Sequence, residues 1–64
     1  MIPELQAQID KTIEMLLPIE ENKWVIYGKC KEDLQNYEMK NKVWFNPLDW
    51  KKYIDYITAK LDIY

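Results

Sequence analysis

The side chains of this chain that are able to do chemistry are carboxylates, lysines and a single thiol. The sequence contains no histidine, serine or arginine, so Cys30 has no imidazole base to activate it and no imidazole is present to bind zinc. Two adjacent carboxylate pairs, Glu20–Glu21 and Glu32–Asp33, are of the type used in acid–base catalysis and metal binding. Adjacent acids are common by chance, however, and 64 residues leave little room for a cleft of about 300 Å³ or more. We therefore expect that the protein is not an enzyme and that it binds no cofactor and no metal ion.

Charge is unevenly distributed along the chain, although its formal net value is only −2. The first 21 residues contain five acids and one lysine, whereas residues 22–46 contain five lysines and three acids. Acids on one surface speed the approach of a basic partner, and acids spaced along a helix can imitate nucleic-acid phosphates. The residues predicted to steer a partner in this way are Glu4, Asp10, Glu14, Glu20 and Glu21.

The length of 64 residues predicts a single domain, residues 1–64, that buries only about 60% of its unfolded surface. Cys30 has no second cysteine to pair with, so neither a disulfide nor a histidine-bound metal supports this small core. Self-association is therefore expected, with a homodimer as its simplest form. The lone thiol, the acidic start and the lack of a long apolar run predict a cytoplasmic protein with no signal peptide and no membrane contact.

Two helices are predicted from apolar spacing and capping residues. Apolar residues between Ile2 and Leu17 fall on one face of a helix placed at about residues 3–17, with proline near its start and just after its end. The last helix begins after Asn46, a good N-cap, followed by Pro47 at the first helical position. Its apolar stripe continues to the end of the chain.

The segment between these helices predicts a small antiparallel sheet. Residues 23–30 are rich in β-branched and aromatic side chains and predict one strand, and residues 42–46 predict a second. Residues 37–40 alternate enough for a third strand, whereas a single helical turn over residues 32–37 is the alternative. The predicted fold class is α+β, in the order helix, two or three antiparallel strands, helix.

A partner-binding surface follows from that fold, because two short helices cover only one face of a small sheet. The other face would expose apolar and aromatic side chains, and such patches on small proteins usually mark a contact surface. In the alternative, the helices straddle the sheet and the same residues are core. The residues predicted to bind a partner are Trp24, Val25, Tyr27 and Trp44, together with Tyr56 of the last helix.

Lysines beside these aromatic residues suggest a rival function. Lys23, Lys29 and Lys42 could neutralise phosphates of a single-stranded nucleic acid while the aromatic rings stack on its bases. The acidic net charge and the absence of arginine argue against a strong nucleic-acid binder. Direct nucleic-acid binding is therefore the alternative, and a structural subunit of a homo-oligomer is a third possibility.

The favoured interpretation is a non-enzymatic module that docks on a larger protein or a protein–nucleic-acid complex. The chain is short, acidic and aromatic, and is rich in Lys, Asn, Ile and Tyr with no Arg. In these features it resembles small phage and plasmid products that inhibit host defence machinery, including anti-CRISPR proteins. The resemblance is one of size and composition and attaches to no residue motif. It implies an inhibitor or adaptor that blocks or modulates its target.

Overall fold

The computed structural model describes residues 1–63, which form three α-helices joined by two short connections. The helices are α1 (Pro3–Leu16), α2 (Lys23–Asn41) and α3 (Pro47–Leu61). No strand is present in these residues, so the predicted α+β class is wrong and the fold is a three-helix bundle. The error lies entirely in the middle of the chain.

The two outer helices lie where the sequence predicts them. Pro3 occupies the first turn of α1, which ends at Leu16, one residue before the predicted end. At the start of α3 the Asn46 side chain accepts a hydrogen bond from the Asp49 amide at 2.9 Å, and Pro47 is the first helical residue. Local capping chemistry and helical spacing agree at both sites, so both predictions are confirmed.

The first and third predicted strands are both parts of α2. The helix begins at Asn22, whose side chain accepts a hydrogen bond from the Trp24 amide at 3.0 Å. Ile26, Cys30 and Leu34 are buried at intervals of four residues, which is the spacing of one helix face. Burial of that face outweighs the weak strand preference of the aromatic and β-branched residues. The alternative helical turn over residues 32–37 was correct in kind, although it was much too short.

The second predicted strand is an extended connection with no pairing partner. Lys42 adopts a left-handed conformation, with φ of 52°, and terminates α2. Residues 43–46 belong to no helix or strand, and the Phe45 side chain packs into the core, where it is 8% exposed. The Phe45 amide donates to a carboxylate oxygen of Glu38 at 2.9 Å, which replaces the ladder hydrogen bond that a strand would have made.

Side-chain contacts show how the helices run. Ile2, Gln6 and Asp10 of the α1 segment contact Tyr53, Tyr56 and Lys60 in that order, so α1 and α3 are parallel. Both run antiparallel to α2, as the short connections require. Each helix contributes three residues to one core, and the α2–α3 connection adds one more: Leu5, Ile9, Ile13, Ile26, Cys30, Leu34, Phe45, Tyr53, Ile57 and Leu61.

Candidate functional site

The most exposed apolar surface surrounds the connection between α2 and α3. Met39 is 78% exposed, Trp44 is 77% exposed and Leu48 is 71% exposed, and Val43 between them is 43% exposed. We call these four residues the α2–α3 cluster. Three large apolar side chains that stay mostly in water within ten residues are unusual on a small domain, because the burial of each would contribute about 1.5–3 kcal/mol.

The buried neighbour of Trp44 explains why the tryptophan faces solvent. Phe45 points inward, with its ring centroid 6.1 Å from that of Tyr37 and 5.5 Å from that of Tyr53. Trp44 is instead exposed and lies beside a wide groove of about 380 Å³, lined by Gln35, Glu38, Met39, Val43 and Trp44. The groove is a concave surface next to the large aromatic ring of Trp44.

A second group of exposed apolar residues lies at the opposite end of the bundle. Its members, which we call the α1–α2 cluster, are Met15, Leu17, Ile19, Trp24 and Val25. The Trp24 ring packs edge-on against Tyr27 at 5.5 Å, and the Lys31 ammonium lies 5.5 Å from the centre of the Tyr27 ring. Trp24 is still 56% exposed, so this contact covers only part of it.

The outer face of α2 connects the two clusters. Trp24, Gly28, Gln35 and Met39 recur at helical spacing on the side away from the core, and all four are exposed. A Cβ added at Gly28 would meet nothing within 4 Å. Glycine within a helix costs about 1 kcal/mol relative to alanine, and no close contact within residues 1–63 requires it here. The outer face of α2 is therefore apolar at both ends and lacks a side chain at Gly28.

The five acids predicted to steer a partner have different surroundings. Glu4, Glu14 and Glu21 are exposed. Glu20 is half-buried and accepts a hydrogen bond from the Asn22 amide at 3.1 Å. Asp10 is half-buried between α1 and α3. It accepts a 2.5 Å hydrogen bond from the Tyr56 hydroxyl and lies 3.6 Å from the Lys60 ammonium.

The other predicted site residues are dispersed. Tyr56 is half-buried between α1 and α3, and Gln6 also donates to its hydroxyl at 3.3 Å. Lys23 is half-buried at the start of α2, whereas Lys42 lies beyond the other end of the helix, and Lys29 between them is 3.8 Å from Glu32. The three lysines do not converge on one aromatic surface, and the hairpin on which they were placed does not exist in residues 1–63.

The remaining polar features lie mainly between α1 and α2. A groove of about 240 Å³ between α1 and α2 is lined mainly by Glu4, Gln8, Asp33, Asn36, Lys40 and Asn41. Asp33 already accepts a 2.6 Å hydrogen bond from the Thr12 hydroxyl. Within residues 1–63, no group of three potential metal ligands comes together and no helix is long and apolar enough to cross a bilayer.

Cys30 is a packed thiol. It is fully buried, and burial, reinforced by the negative charges of Asp33 and Asp10, raises its pKa to about 12. Because the thiolate is the reactive form, the thiol is inert near neutral pH. It belongs to the core and to no site.

No protein-family model matches the chain, and comparison with curated proteins and with solved structures gives no match either.

The sequence interpretation named Trp44 but missed most of its neighbours. Met39 lies in the possible third strand of the prediction and Leu48 in the first turn of the predicted last helix, and neither was predicted to bind a partner. The signal for Leu48 was present, since it lies off the apolar stripe of α3 next to the Asn46 cap. For Met39, the exposure becomes visible only when α2 is recognised as one continuous helix.

Proposed function

We propose that this chain is a non-enzymatic protein-binding module that binds through the α2–α3 cluster. The observation that carries the proposal is the exposure of Met39 and Trp44, each above 70%, beside one groove, with Leu48, also above 70% exposed, four residues further along the chain. Apolar patches of this kind on small proteins usually mark a contact surface, and tryptophan and methionine are enriched at protein interfaces.

The surface fits a protein better than a nucleic acid. Nucleic-acid recognition needs positive charge that follows the backbone of the ligand, with aromatic rings placed between the charges. The groove beside Trp44 contains Glu38 and no lysine. An apolar ring beside a groove with one carboxylate and no cation instead suits an apolar side chain of another protein, with truncation of the anchor expected to cost about 2 kcal/mol or more.

The resemblance in composition to small inhibitors extends the proposal to a target. In that form, the module blocks or modulates a larger protein or protein–nucleic-acid complex, as phage anti-defence products do. The exposed acids Glu4, Glu14 and Glu21 would speed the approach to a basic surface of that target. This electrostatic effect on the association rate does not depend on the α2–α3 cluster. We place this activity in the cytoplasm, because a single unpaired cysteine suits a reducing compartment.

Site-specific photo-crosslinking tests the proposal. A photoreactive phenylalanine analogue replaces Trp44 in one variant and Ala7, which is exposed on α1, in a matched control. Both variants are irradiated in cells of the native source. We expect protein adducts from position 44 and none of the same mass from position 7.

Adducts of equal yield from both positions, or none from position 44, would contradict the proposal. Circular dichroism of both variants verifies that the helices are intact, which we expect because both side chains lie in solvent.

A further inference from the structure

We propose that Glu38 is the positioning residue of the binding surface, because its carboxylate holds the α2–α3 connection in the conformation that presents Trp44. The inference rests on the proposed function. It adds a residue that determines binding through the backbone of the connection and does not need to contact the partner.

Both polar groups of Glu38 accept hydrogen bonds from the connection. Its backbone carbonyl accepts from the amides of Lys42 and Val43, the latter at 3.1 Å, and these bonds close the end of α2. A carboxylate oxygen of the same residue accepts from the Phe45 amide at 2.9 Å. Three of the four amides of residues 42–45 are therefore held by one residue.

The side-chain hydrogen bond restrains the part of the connection that carries Trp44. The bonds to the Glu38 carbonyl fix the chain as far as Val43, and the Asn46 cap fixes it again at the start of α3. Trp44 lies between these two fixed points, next to the Phe45 amide that donates to the carboxylate. A charged acceptor makes this bond stronger than a neutral one would be, and half-burial of Glu38 reduces competition from water.

Loss of this hydrogen bond should weaken binding without unfolding the protein. The Phe45 ring keeps its contacts with Tyr37 and Tyr53, and the two bonds to the Glu38 carbonyl do not depend on the side chain. The backbone of the connection would then sample several conformations. The apparent dissociation constant rises in inverse proportion to the fraction of molecules in the binding-competent one.

Three substitutions at position 38 separate the hydrogen bond from the charge. Glu38→Ala removes the acceptor, and Glu38→Asp keeps the charge but shortens the side chain by one methylene group. Glu38→Gln keeps an acceptor oxygen at the same reach without the charge. Glu32→Ala is the matched control, because Glu32 is an exposed glutamate of the same helix whose carboxylate lies 3.8 Å from the Lys29 ammonium.

Backbone motion measured by NMR relaxation is the first readout. Order parameters of residues 43–45 should lie near the rigid value of about 0.85 in the wild-type chain, in Glu38→Gln and in the control. They should fall below about 0.6 in Glu38→Ala and Glu38→Asp, and exchange of the Phe45 amide hydrogen should accelerate in both. Order parameters that neither variant changes would overturn the inference. Loss of helical circular dichroism in both variants would do so too, because Glu38 would then belong to the fold.

Photo-crosslinking is the second readout, which a purely structural role would not change. The probe is the photoreactive phenylalanine analogue at position 44. Glu38→Ala and Glu38→Asp should each lower the yield of its protein adducts by about tenfold, as expected for loss of a hydrogen bond to a charged group. Glu38→Gln should restore most of the yield, and Glu32→Ala should leave it unchanged.

The outcomes separate this inference from the proposed function. A more mobile connection with an undiminished adduct yield overturns the inference and leaves the proposed function intact. An equal loss of yield in Glu38→Gln and Glu38→Ala also overturns it, because the charge and not the hydrogen bond would then matter. Absence of adducts from every chain, including the wild type at position 38, overturns the proposed function and this inference together.

Discussion

Trp44 and Phe45 are neighbours in the sequence and have opposite surroundings. Phe45 is packed between Tyr37 and Tyr53 and is 8% exposed, whereas the Trp44 ring is 77% exposed. Ring contacts and the hydrogen bond from its amide to Glu38 hold Phe45 in the core, and the adjacent Trp44 side chain remains in solvent. Phe45 therefore stabilises the fold, whereas the Trp44 side chain is free to contact a partner.

Alanine substitution should separate these two roles. Phe45→Ala should lower the free energy of unfolding by about 3–5 kcal/mol, which leaves so small a domain largely unfolded. Trp44→Ala should change it by no more than about 0.5 kcal/mol in the monomer. Urea denaturation followed by circular dichroism, at a concentration below that of self-association, measures both changes. Unfolding of the Trp44 variant would show that this ring supports the core.

The sequence predicted that Trp44 and Val25 face solvent, but for the wrong reason. Both were placed on the outer face of a hairpin, whereas the structure places Val25 on the outer face of α2 and Trp44 in an unpaired connection. Tyr27, assigned to the same hairpin face, is half-buried against the core. An alternation of side chains with a period of two predicts which neighbours are buried and which are exposed only where the backbone is extended, and α2 is helical.

The three helices differ in how clearly the sequence encodes them. α1 and α3 each carry proline at the start and one narrow apolar stripe, so period and capping give the same answer. α2 begins with consecutive apolar and aromatic residues, contains a glycine and exposes Trp24, Val25 and Met39 on its outer face. Its helical period is thus obscured in a short window and becomes clear only over all 19 residues.

The Asn22 cap should carry much of the local stability of α2. Its side chain satisfies an amide that would otherwise lack a partner, and Asn22→Ala should cost about 1 kcal/mol. Asn36→Ala is the matched control, because Asn36 is exposed in the middle of the same helix. The control should be neutral or slightly stabilising, since alanine is the better helix former.

Thermal or urea unfolding of the two asparagine variants measures the difference. Equal destabilisation by both changes would contradict a capping role for Asn22. Amide hydrogen exchange in the first turn of α2 should also accelerate in the Asn22 variant and stay unchanged in the control.

For the molecule as a whole, the bundle disperses the lysines that the hairpin would have gathered. Lys23, Lys29 and Lys42 are spread along the length of α2, and the net charge of the chain is −2. We therefore expect no saturable change in tryptophan fluorescence on addition of a single-stranded oligonucleotide, even at about 50 mM salt, where phosphate contacts are strong. Tight binding that weakens steeply with salt would instead favour the nucleic-acid alternative.

The single core was easier to predict than the architecture around it. The small size predicted one core, which residues 1–63 show, whereas the lack of catalysis inferred from the missing histidine, serine and arginine stays a prediction. The continuity of the exposed surface could not be predicted, because it depends on α2 being one helix with Met39 next to Trp44. That adjacency is a tertiary fact, set by the left-handed turn at Lys42 and the insertion of Phe45.

The chain places its one glycine where backbone geometry gives it no advantage. Two residues, Lys42 and Asp62, adopt positive φ angles at the ends of helices, the positions where glycine relieves strain most effectively. Gly28 instead lies in the middle of α2 with ordinary helical backbone. A sequence selected only for the stability of the isolated bundle would carry glycine at position 42 or 62 instead, and Gly28→Ala should stabilise the monomer.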